Sequence, residues 1–459
     1  MTTAEDDHLH PLTVVLRERG MTLDKLASSY RGELARQGLR SGADRQLIWK
    51  WKSGKKTPSD ESQHVLATVL GVPHTLVTER GWPSWVWCAT NTHGQLVEPP
   101  WSIAGTMKVL RWVTGDRVDR RGFLTLSGAS LLGVATEWAS NMATAEAATL
   151  VAPETRGEYL SRAVLDRLGS RLAELRHLDD VFGGTDLRHL ARAELRWLST
   201  LADTATYDET TGRTLFAHIT EAARLCGWLH FDVAQHAAAQ EHYVTALRAS
   251  VEANAPEAGA HVLACMSFQV MLDGRPNDAL SLLDTASDFL GRSGNARLRA
   301  MIASRKARAY AIARDERGCG HQLNLAERYL DAADISPDNA PDWIYYFDHA
   351  ELDAQAGACW VSLSEPARAR PLIDSALSTM SSDYVRDRTI YHARSGQAYA
   401  DANELDMACR DFTTAIDLAA QTQSVRSIET IRVGRATLDR YKGDPRINKL
   451  DRQFQRIAC

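Results

Sequence analysis

The spacing of apolar and polar positions along this 459-residue chain predicts helices rather than strands. Near the beginning, "LTVVLRERG" reads as a helix that ends on Gly20, and "TLDKLASSY" as a helix that opens with Thr22 as its cap. The segment "DRQLIWKWKSG" opens at Asp44 and stops at Gly54. Three short helices therefore follow one another within the first 54 residues.

A fourth helix is predicted to start at Thr57 and Pro58 and to stop at Gly71. Its apolar residues recur at the spacing of one helix face: Val65, Leu66, Val69 and Leu70. We assign residues 11–80 to a small helical domain that follows a disordered tail at residues 1–10.

This domain resembles the helix-turn-helix of the Cro and phage-repressor type, the xenobiotic-response-element family. The matching stretches are "RERGMTLDKLA", "IWKWKSGKKTPS" and "LATVLGVPHTLV". Ile48, Trp51, Gly54 and Pro58 recur at the spacing of that family. One stretch departs from it, because "RGELARQGLRSGA" adds about eight residues before the third helix. Either the second helix is longer or a loop is inserted.

In such domains the recognition helix lies in the major groove of DNA. Carried over by position, the resemblance places four residues against DNA: Arg45, Gln46, Trp49 and Lys50. It places three in the core: Leu47, Ile48 and Trp51. Arg45 matches the geometry of guanine and Gln46 that of adenine. Three lysines would hold phosphates without choosing sequence: Lys52, Lys55 and Lys56.

The distribution of charge agrees with this interpretation. The whole chain carries a formal charge of -5, but residues 11–59 contain eleven Lys or Arg against four Asp or Glu, a local balance of +7. A basic end joined to an acidic remainder is typical of a small nucleic-acid reader on a larger domain. The plain alternative is a basic run that is only a solvated surface.

The middle of the chain, residues 81–150, begins with "GWPSWVWCATNTHGQLVEPP", which is too rich in Trp and Pro for a long helix. Its tryptophans are predicted to pack: Trp82, Trp85 and Trp87. Next, "VDRRGFLTLSGASLLGVATEWAS" looks like a twin-arginine export signal, but Arg120 and Arg121 lie more than a hundred residues from the start. We expect instead a helix capped by Asp119 that buries three residues: Phe123, Leu124 and Leu131.

From about residue 220 the chain repeats itself. In "RSGQAYADANELDMACRDFTTAIDLA", small and large residues alternate at the five positions that mark a tetratricopeptide repeat: Gly396, Tyr399, Ala408, Phe412 and Ala415. The same frame recurs upstream with its first position at 227, 267, 307 and 357, so the spacings are 40, 40, 50 and 39 residues. Gly434 begins a further unit with a shortened second helix. We assign residues 213–459 to these repeats and residues 151–212 to one or two more helical hairpins.

In a solenoid of such repeats, the first helix of each pair lines a concave groove. The frame places six residues there: Arg224, Trp228, His261, Phe268, Arg308 and Gln397. Aromatic area together with arginines suits the capture of a peptide. Each of the six is equally readable as a packing or surface residue.

No catalytic or nucleotide-binding motif occurs, and we predict no enzyme, cofactor or metal site. Seven single cysteines without a CxxC pair indicate a reducing cytoplasm, and no apolar run reaches 18 residues, so no membrane contact is predicted.

We therefore predict an all-α protein that resembles bacterial regulators with a repressor-type helix-turn-helix and tetratricopeptide repeats, similar to peptide-pheromone sensors. The resemblance implies a cytoplasmic transcriptional regulator, expected to be a homodimeric repressor on an inverted repeat, whose repeats bind a peptide, small ligand or protein. The alternative is an adaptor that sequesters a protein, with the helix-turn-helix as a docking or dimerisation module.

Overall fold

The computed structural model describes residues 10–38, 43–72, 74–89, 96–115, 126, 128–145, 157–182, 184–291, 294–335, 340–422 and 424–457. The regular structure of these residues is helical, as predicted, and their one bridge of strand type joins Tyr159 to Thr206. Residues 1–9 and the predicted helix start at 119–124, with Arg120 and Arg121, lie outside the described residues. The chain divides into two compact units, Met1–Val134 and Ala135–Cys459.

The first unit begins with five short helices and a 3-10 helix. Their bounds are α1 Pro11–Glu18, α2 Leu23–Arg36, α3 Arg45–Lys52, α4 Asp60–Leu70, α5 His74–Arg80 and the 3-10 helix Ser84–Ala89. Two further helices follow, α6 Ile103–Thr114 and α7 Gly128–Ala145, and the division between the two units falls within α7. Helix α2 packs against α3 and α4, while α1 packs against the 3-10 helix.

Side-chain caps set the starts of α2 and α3. The Thr22 Oγ1 atom accepts a hydrogen bond from the Lys25 N–H at 3.2 Å, and the Asp44 Oδ1 atom accepts one from the Leu47 N–H at 2.8 Å. Both predicted starts are confirmed. The extra residues of the helix-turn-helix partly lengthen α2, which continues to Arg36.

The predicted start of α4 was wrong. The helix begins at Asp60, because Ser59 is extended and its Oγ accepts a hydrogen bond from the Ser62 N–H at 3.3 Å. Pro58 lies before the helix, and its carbonyl accepts a hydrogen bond from the buried Gln63 Nε2 at 3.1 Å. The predicted stop is confirmed, because Gly71 adopts the left-handed conformation with a φ of 68°.

The core of the first unit continues past Arg80 into the tryptophan-rich stretch. Trp85 is fully buried, and its Nε1 donates to the Gln63 Oε1 at 3.0 Å. Trp82 is half-buried against the same core, and the side chain of Trp87 lies outside the described residues. Packing of Trp82 and Trp85 is thus as predicted.

The second unit is built from helix pairs. Its helices are α8 Arg162–Phe182, α9 Gly184–Thr204, α10 Glu209–Asp232, α11 His236–Glu252, α12 Pro256–Leu272, α13 Pro276–Leu290, α14 Ala296–Ile312, α15 Glu316–Ile335, α16 His349–Ser362, α17 Pro366–Thr379, α18 Val385–Asp401, α19 Leu405–Thr422, α20 Val425–Arg435 and α21 Pro445–Gln455. Short 3-10 helices cover Asp342–Ile344 and Ala436–Tyr441. The predicted hairpin before the repeats is the pair α8 and α9.

The small residue that marks each repeat lets the two helices of a pair approach closely. A Cβ atom on Gly227 would collide with the Tyr243 ring, and one on Gly396 would collide with the Phe412 ring at 2.9 Å. In both pairs the small and the large residue are those that the sequence frame matched. The predicted helical repeats are therefore present, with their contacts inside each hairpin.

The turn inside each pair has a residue in the left-handed region. These residues are Ala234, Gly274, Arg314, Ser364 and Asn403, with φ between 59° and 77°. Each lies seven positions after the first marker of its repeat, although the repeats differ in length. The backbone thus repeats in the register that the sequence predicted.

Residues 135–145 of α7 belong to the second unit and pack inside it. Trp138 is fully buried, its Nε1 donates to the Ser250 Oγ at 3.0 Å, and its ring centroid lies 5.0 Å from that of Phe289. The absence of a side chain at Gly259 makes room for this indole. Leu131, predicted to be buried, is 1% exposed.

Among the described residues, no helix combines the length and apolarity that crossing a membrane requires.

Candidate functional site

Helix α3 has two faces of opposite character. Ile48 and Trp51 are buried, and the Trp51 ring meets Tyr30 of α2 edge-on, with ring centroids 5.4 Å apart. Leu47 is half-buried against the same core. The other face is exposed and carries the four residues predicted to meet bases: Arg45, Gln46, Trp49 and Lys50. The core and surface positions thus lie where the resemblance placed them.

The predicted phosphate-binding lysines surround the end of α3. Lys55 and Lys56 are exposed and Lys52 is half-buried. The Lys55 Nζ lies 4.5 Å from the centroid of the Trp49 ring, a cation–π arrangement that holds the ammonium beside the exposed face of α3. A basic rim therefore adjoins the base-facing residues.

Two contacts join α2 to the start of α3. The Arg31 Nη1 donates to the Ala43 carbonyl at 2.6 Å, immediately before the Asp44 cap. Arg45 and Asp24 form a loose ion pair at 3.7 Å, and both side chains are 69% exposed. Because an exposed pair of this kind is weak, Arg45 remains available to an anionic partner.

The second unit encloses a cavity, lined chiefly by the first helix of each pair from α10 to α20, together with α8 and the segment 343–346. The cavity has a volume of about 120 Å³ and is partly open to solvent, so it is small beside the roughly 300–1,000 Å³ of typical ligand sites. Five of the six predicted groove residues line it: Arg224, Trp228, His261, Phe268 and Arg308. Gln397 does not; it is half-buried and accepts a hydrogen bond from Arg394, which does.

Aromatic rings form one wall of the cavity. Trp228 and Phe268 stack with centroids 6.1 Å apart and an angle of 20° between their planes. His261 stacks on Trp343 at 4.6 Å. Burial, together with the neighbouring arginines, lowers the pKa of His261 well below its ordinary value, so this ring is neutral. The neutral imidazole adds no charge to this wall, while the guanidinium groups of Arg305 and Arg426 lie over the Phe268 and Trp228 rings.

Seven arginines also line the cavity, and most of them have partners. Arg224 makes two hydrogen bonds to the Glu221 carboxylate, at 2.7 and 2.9 Å, and Arg176 donates to the same carboxylate at 3.3 Å. The Arg308 Nη1 donates to the Ala358 carbonyl at 2.6 Å. These guanidinium groups are fixed by the protein itself.

Two ion pairs connect the beginning of the second unit to its end. The Arg386 Nη1 of α18 donates to the Asp179 Oδ1 of α8 at 2.8 Å, and both side chains are buried. The Arg426 Nε of α20 donates to the Asp232 Oδ1 of α10 at 3.0 Å. Burial alone would raise the pKa of Asp232, but Arg426 and Arg386 hold it below its ordinary value. Both arginines and Asp179 line the cavity, so the closure of the repeats and the cavity share residues.

Arg305 of α14 differs from the other cavity arginines. It is 8% exposed, and its Cζ lies 3.9 Å from the centroid of the Phe268 ring. Within the part of the chain that the structure describes, its Nη1 is buried and has no hydrogen-bond partner. The guanidinium lies against an aromatic ring, and the hydrogen-bonding capacity of its Nη1 is unused.

Two carboxyl groups in the lining titrate near neutrality. Burial raises the pKa of Asp180, which accepts a hydrogen bond from the Tyr345 hydroxyl, to about 7. Burial and the Asp387 charge raise the pKa of Glu351 to about 7, although Tyr391 and Gln355 donate to its oxygens at 2.7 and 2.9 Å. The charge of the cavity therefore changes around pH 7.

The sequence frame did not find Arg176, Arg305, Arg386 or Arg426. Their positions follow from how successive pairs curve around the cavity, and no local spacing signals them. Among the described residues, no group of three or more His, Cys, Asp or Glu side chains is arranged to hold a metal ion. The arrangement is suited to binding an anionic, partly apolar molecule.

No protein-family model and no curated protein matches this chain. One similar solved structure is the crystal structure of a Rap protein complexed with competence and sporulation factor. The two chains are 11% identical, and the alignment covers 72% of this chain and 98% of the other, with a TM-score of 0.40. A likeness at this level carries nothing about what this chain binds.

Proposed function

We propose that the protein is a DNA-binding transcriptional regulator whose helical repeats bind a peptide or small ligand. Helix α3 of the first unit reads the major groove, and the cavity of the second unit receives the ligand. The regulator acts in the cytoplasm, as a homodimer on an inverted repeat, and catalyses no reaction.

One observation carries this proposal. Helix α3 buries Ile48 and Trp51 and leaves Arg45, Gln46 and Lys50 exposed together on its other face. Arginine and glutamine side chains match the hydrogen-bonding edges of guanine and adenine in the major groove. The lysines beside this face supply the phosphate contacts that set register and affinity.

The cavity supports the sensing role. In a homodimer, two recognition helices must lie about 34 Å apart to engage successive half-sites. A ligand that binds one arrangement of the repeats better than another shifts the population toward it, and so changes the affinity for DNA.

The test is selection from a random duplex library by the purified full-length protein. We expect enrichment of an inverted repeat, lost when Arg45, Gln46 and Lys50 are all replaced by alanine. The matched control replaces Lys25 and Arg36 by alanine. It removes the same number of positive charges, two, but from exposed positions outside α3.

Enrichment that survives in the triple variant would contradict the assigned interface. No enrichment with the unaltered protein would contradict DNA binding and favour the adaptor function, in which the repeats sequester a partner protein.

A further inference from the structure

Arg305 lines the cavity with a buried Nη1 that has no hydrogen-bond partner among the described residues, whereas Arg308 and Arg394 donate to the Ala358 carbonyl and the Gln397 Oε1. Four of the other arginines have carboxylate partners: Arg176, Arg224, Arg386 and Arg426. A buried guanidinium without such a partner destabilises the fold, because the water it has lost is not replaced. The sequence nevertheless places arginine here, between Ala303 and Ala307 on the same helix.

The position of Arg305 indicates which kind of ligand group could accept hydrogen bonds from its guanidinium. One face of the guanidinium packs on the Phe268 ring. Its N–H groups point outward in the guanidinium plane, where they can donate hydrogen bonds to an acceptor. A carboxylate fits that planar fork with two parallel hydrogen bonds. Trp228 stacks on Phe268 beside the fork, and the Arg426 guanidinium lies 4.9 Å from the centroid of the Trp228 ring.

The remaining charges limit the ligand to one such group near Arg305. Seven arginines and four carboxylic residues line the cavity. Four of the arginines are already paired with carboxylates, and Arg308 and Arg394 donate to a carbonyl and an amide, so only the N–H groups of Arg305 remain to match an added anion. A single carboxylate therefore fits better than a doubly charged phosphate.

We propose that the cavity binds a ligand with one carboxylate next to an aromatic or aliphatic group, the carboxylate pairing with Arg305 and the apolar group lying against Trp228 and Phe268. This inference rests on the proposed function of the repeats as a ligand sensor. Both a short peptide and a free organic acid have this chemistry.

The first test needs no ligand. Methionine at position 305 keeps the length and the contact with Phe268 but removes the charge, so Arg305→Met should raise the midpoint of thermal unfolding by about 2 °C. The matched control is Arg224→Met, which removes the two hydrogen bonds that Arg224 donates to Glu221 and should lower the midpoint. A lower midpoint in Arg305→Met would assign Arg305 a structural role and overturn the proposal.

The second test uses three probes on the full-length protein: random pentapeptides with a free carboxyl terminus, the same peptides amidated, and phenylpropionate. We expect the unaltered protein to retain either the free-carboxyl peptides or phenylpropionate, which distinguishes the two sources. Affinity should fall about tenfold or more in Arg305→Met and recover in part in Arg305→Lys. Equal retention of amidated and free peptides, equal binding by Arg305→Met, or no binding up to about 1 mM, where recognition is very weak, would overturn it.

The outcome for DNA is independent. Arg305→Met should select the same duplex sequences as the unaltered protein, since Arg305 belongs to the second unit. Carboxylate binding without any selected sequence would contradict the regulator and leave the ligand assignment standing. Selected DNA sequences without carboxylate binding would contradict the ligand assignment and leave the proposed regulator standing.

Discussion

Five turn residues show how single positions determine the geometry of the repeats. Ala234, Gly274, Arg314, Ser364 and Asn403 all have positive φ, but only one of them is glycine. A residue with a Cβ atom is destabilised by about 1–2 kcal/mol in this region of φ. Glycine avoids this strain, but its greater loss of conformational entropy on folding costs about 0.5–1 kcal/mol.

We therefore expect Ala234→Gly to stabilise the protein by up to about 1 kcal/mol and Gly274→Ala to destabilise it by a similar amount or more. The two substitutions are the reverse of each other at equivalent positions of neighbouring repeats. Thermal unfolding followed by circular dichroism measures both. Shifts of the same sign in the two variants would show that these turns are not equivalent.

Asp180 makes the stability of the protein depend on pH. Its pKa is about 7 in the folded chain, against an ordinary value of 3.8. The folded state thus holds a proton that the unfolded state releases, and stability falls as pH rises from about 4 through 7. The charged and titratable groups around it are Asp179, Asp387, Arg386, His177 and Tyr345.

The variant Asp180→Asn keeps an oxygen that accepts from the Tyr345 hydroxyl but cannot ionise. We expect its unfolding midpoint, relative to the unaltered protein, to rise progressively from pH 4.5 to pH 7.5, over the window set by the two pKa values. If the difference in unfolding midpoint between the two proteins stayed constant over this range, the pKa of Asp180 in the folded chain would lie outside it.

At the scale of the element, α3 separates two kinds of contact that salt dependence can distinguish. Replacing Lys55 or Lys56 by alanine should weaken binding to all duplex sequences alike and reduce the salt slope by about 1 for each residue. Replacing Arg45 by alanine should cost about 1–3 kcal/mol and relax the choice of one base. Titrations at several salt concentrations measure both effects. A loss of sequence choice in the lysine variants would contradict the division of roles.

Elements were predictable from the sequence where a local contact sets them. The caps at Thr22 and Asp44 act within four residues, and the contact of Gly396 with Phe412 lies inside one hairpin. The start of α4 was missed because the capping hydrogen bond is made by Ser59, two residues beyond the predicted start at Thr57.

The cavity was predictable only in part for the same reason. The repeat frame names the helix face that lines it, which placed Trp228 and Phe268 correctly on the lining. It carries no information on partners far apart in the chain, such as Asp179 and Arg386, which are 207 residues apart. That Arg305 has its Nη1 unpartnered likewise depends on residues from several repeats.

At the scale of the whole second unit, buried charges join its two ends. Helix α8 contacts both α10 and α18, and the pair of Asp179 with Arg386 lies at this junction. Burial alone would lower the pKa of Arg386, but the carboxylates of Asp179 and Asp387 raise it well above its ordinary value.

Removing one partner leaves the other buried and charged, so Arg386→Ala should destabilise the second unit by about 3–5 kcal/mol. The double variant with Asp179→Asn should recover part of this loss, because the uncompensated carboxylate is gone. Urea unfolding measures both changes. Equal stability of the single and double variants would show that the pair does not couple the two ends.

The central claim is that this chain regulates transcription through α3. Genome-wide recovery of DNA crosslinked to the protein in cells tests it most directly, beside the variant in which Arg45, Gln46 and Lys50 are replaced by alanine. The account predicts a small set of sites that share an inverted repeat and are lost in the variant. Recovery no greater than that of the variant, under several growth conditions, would contradict it.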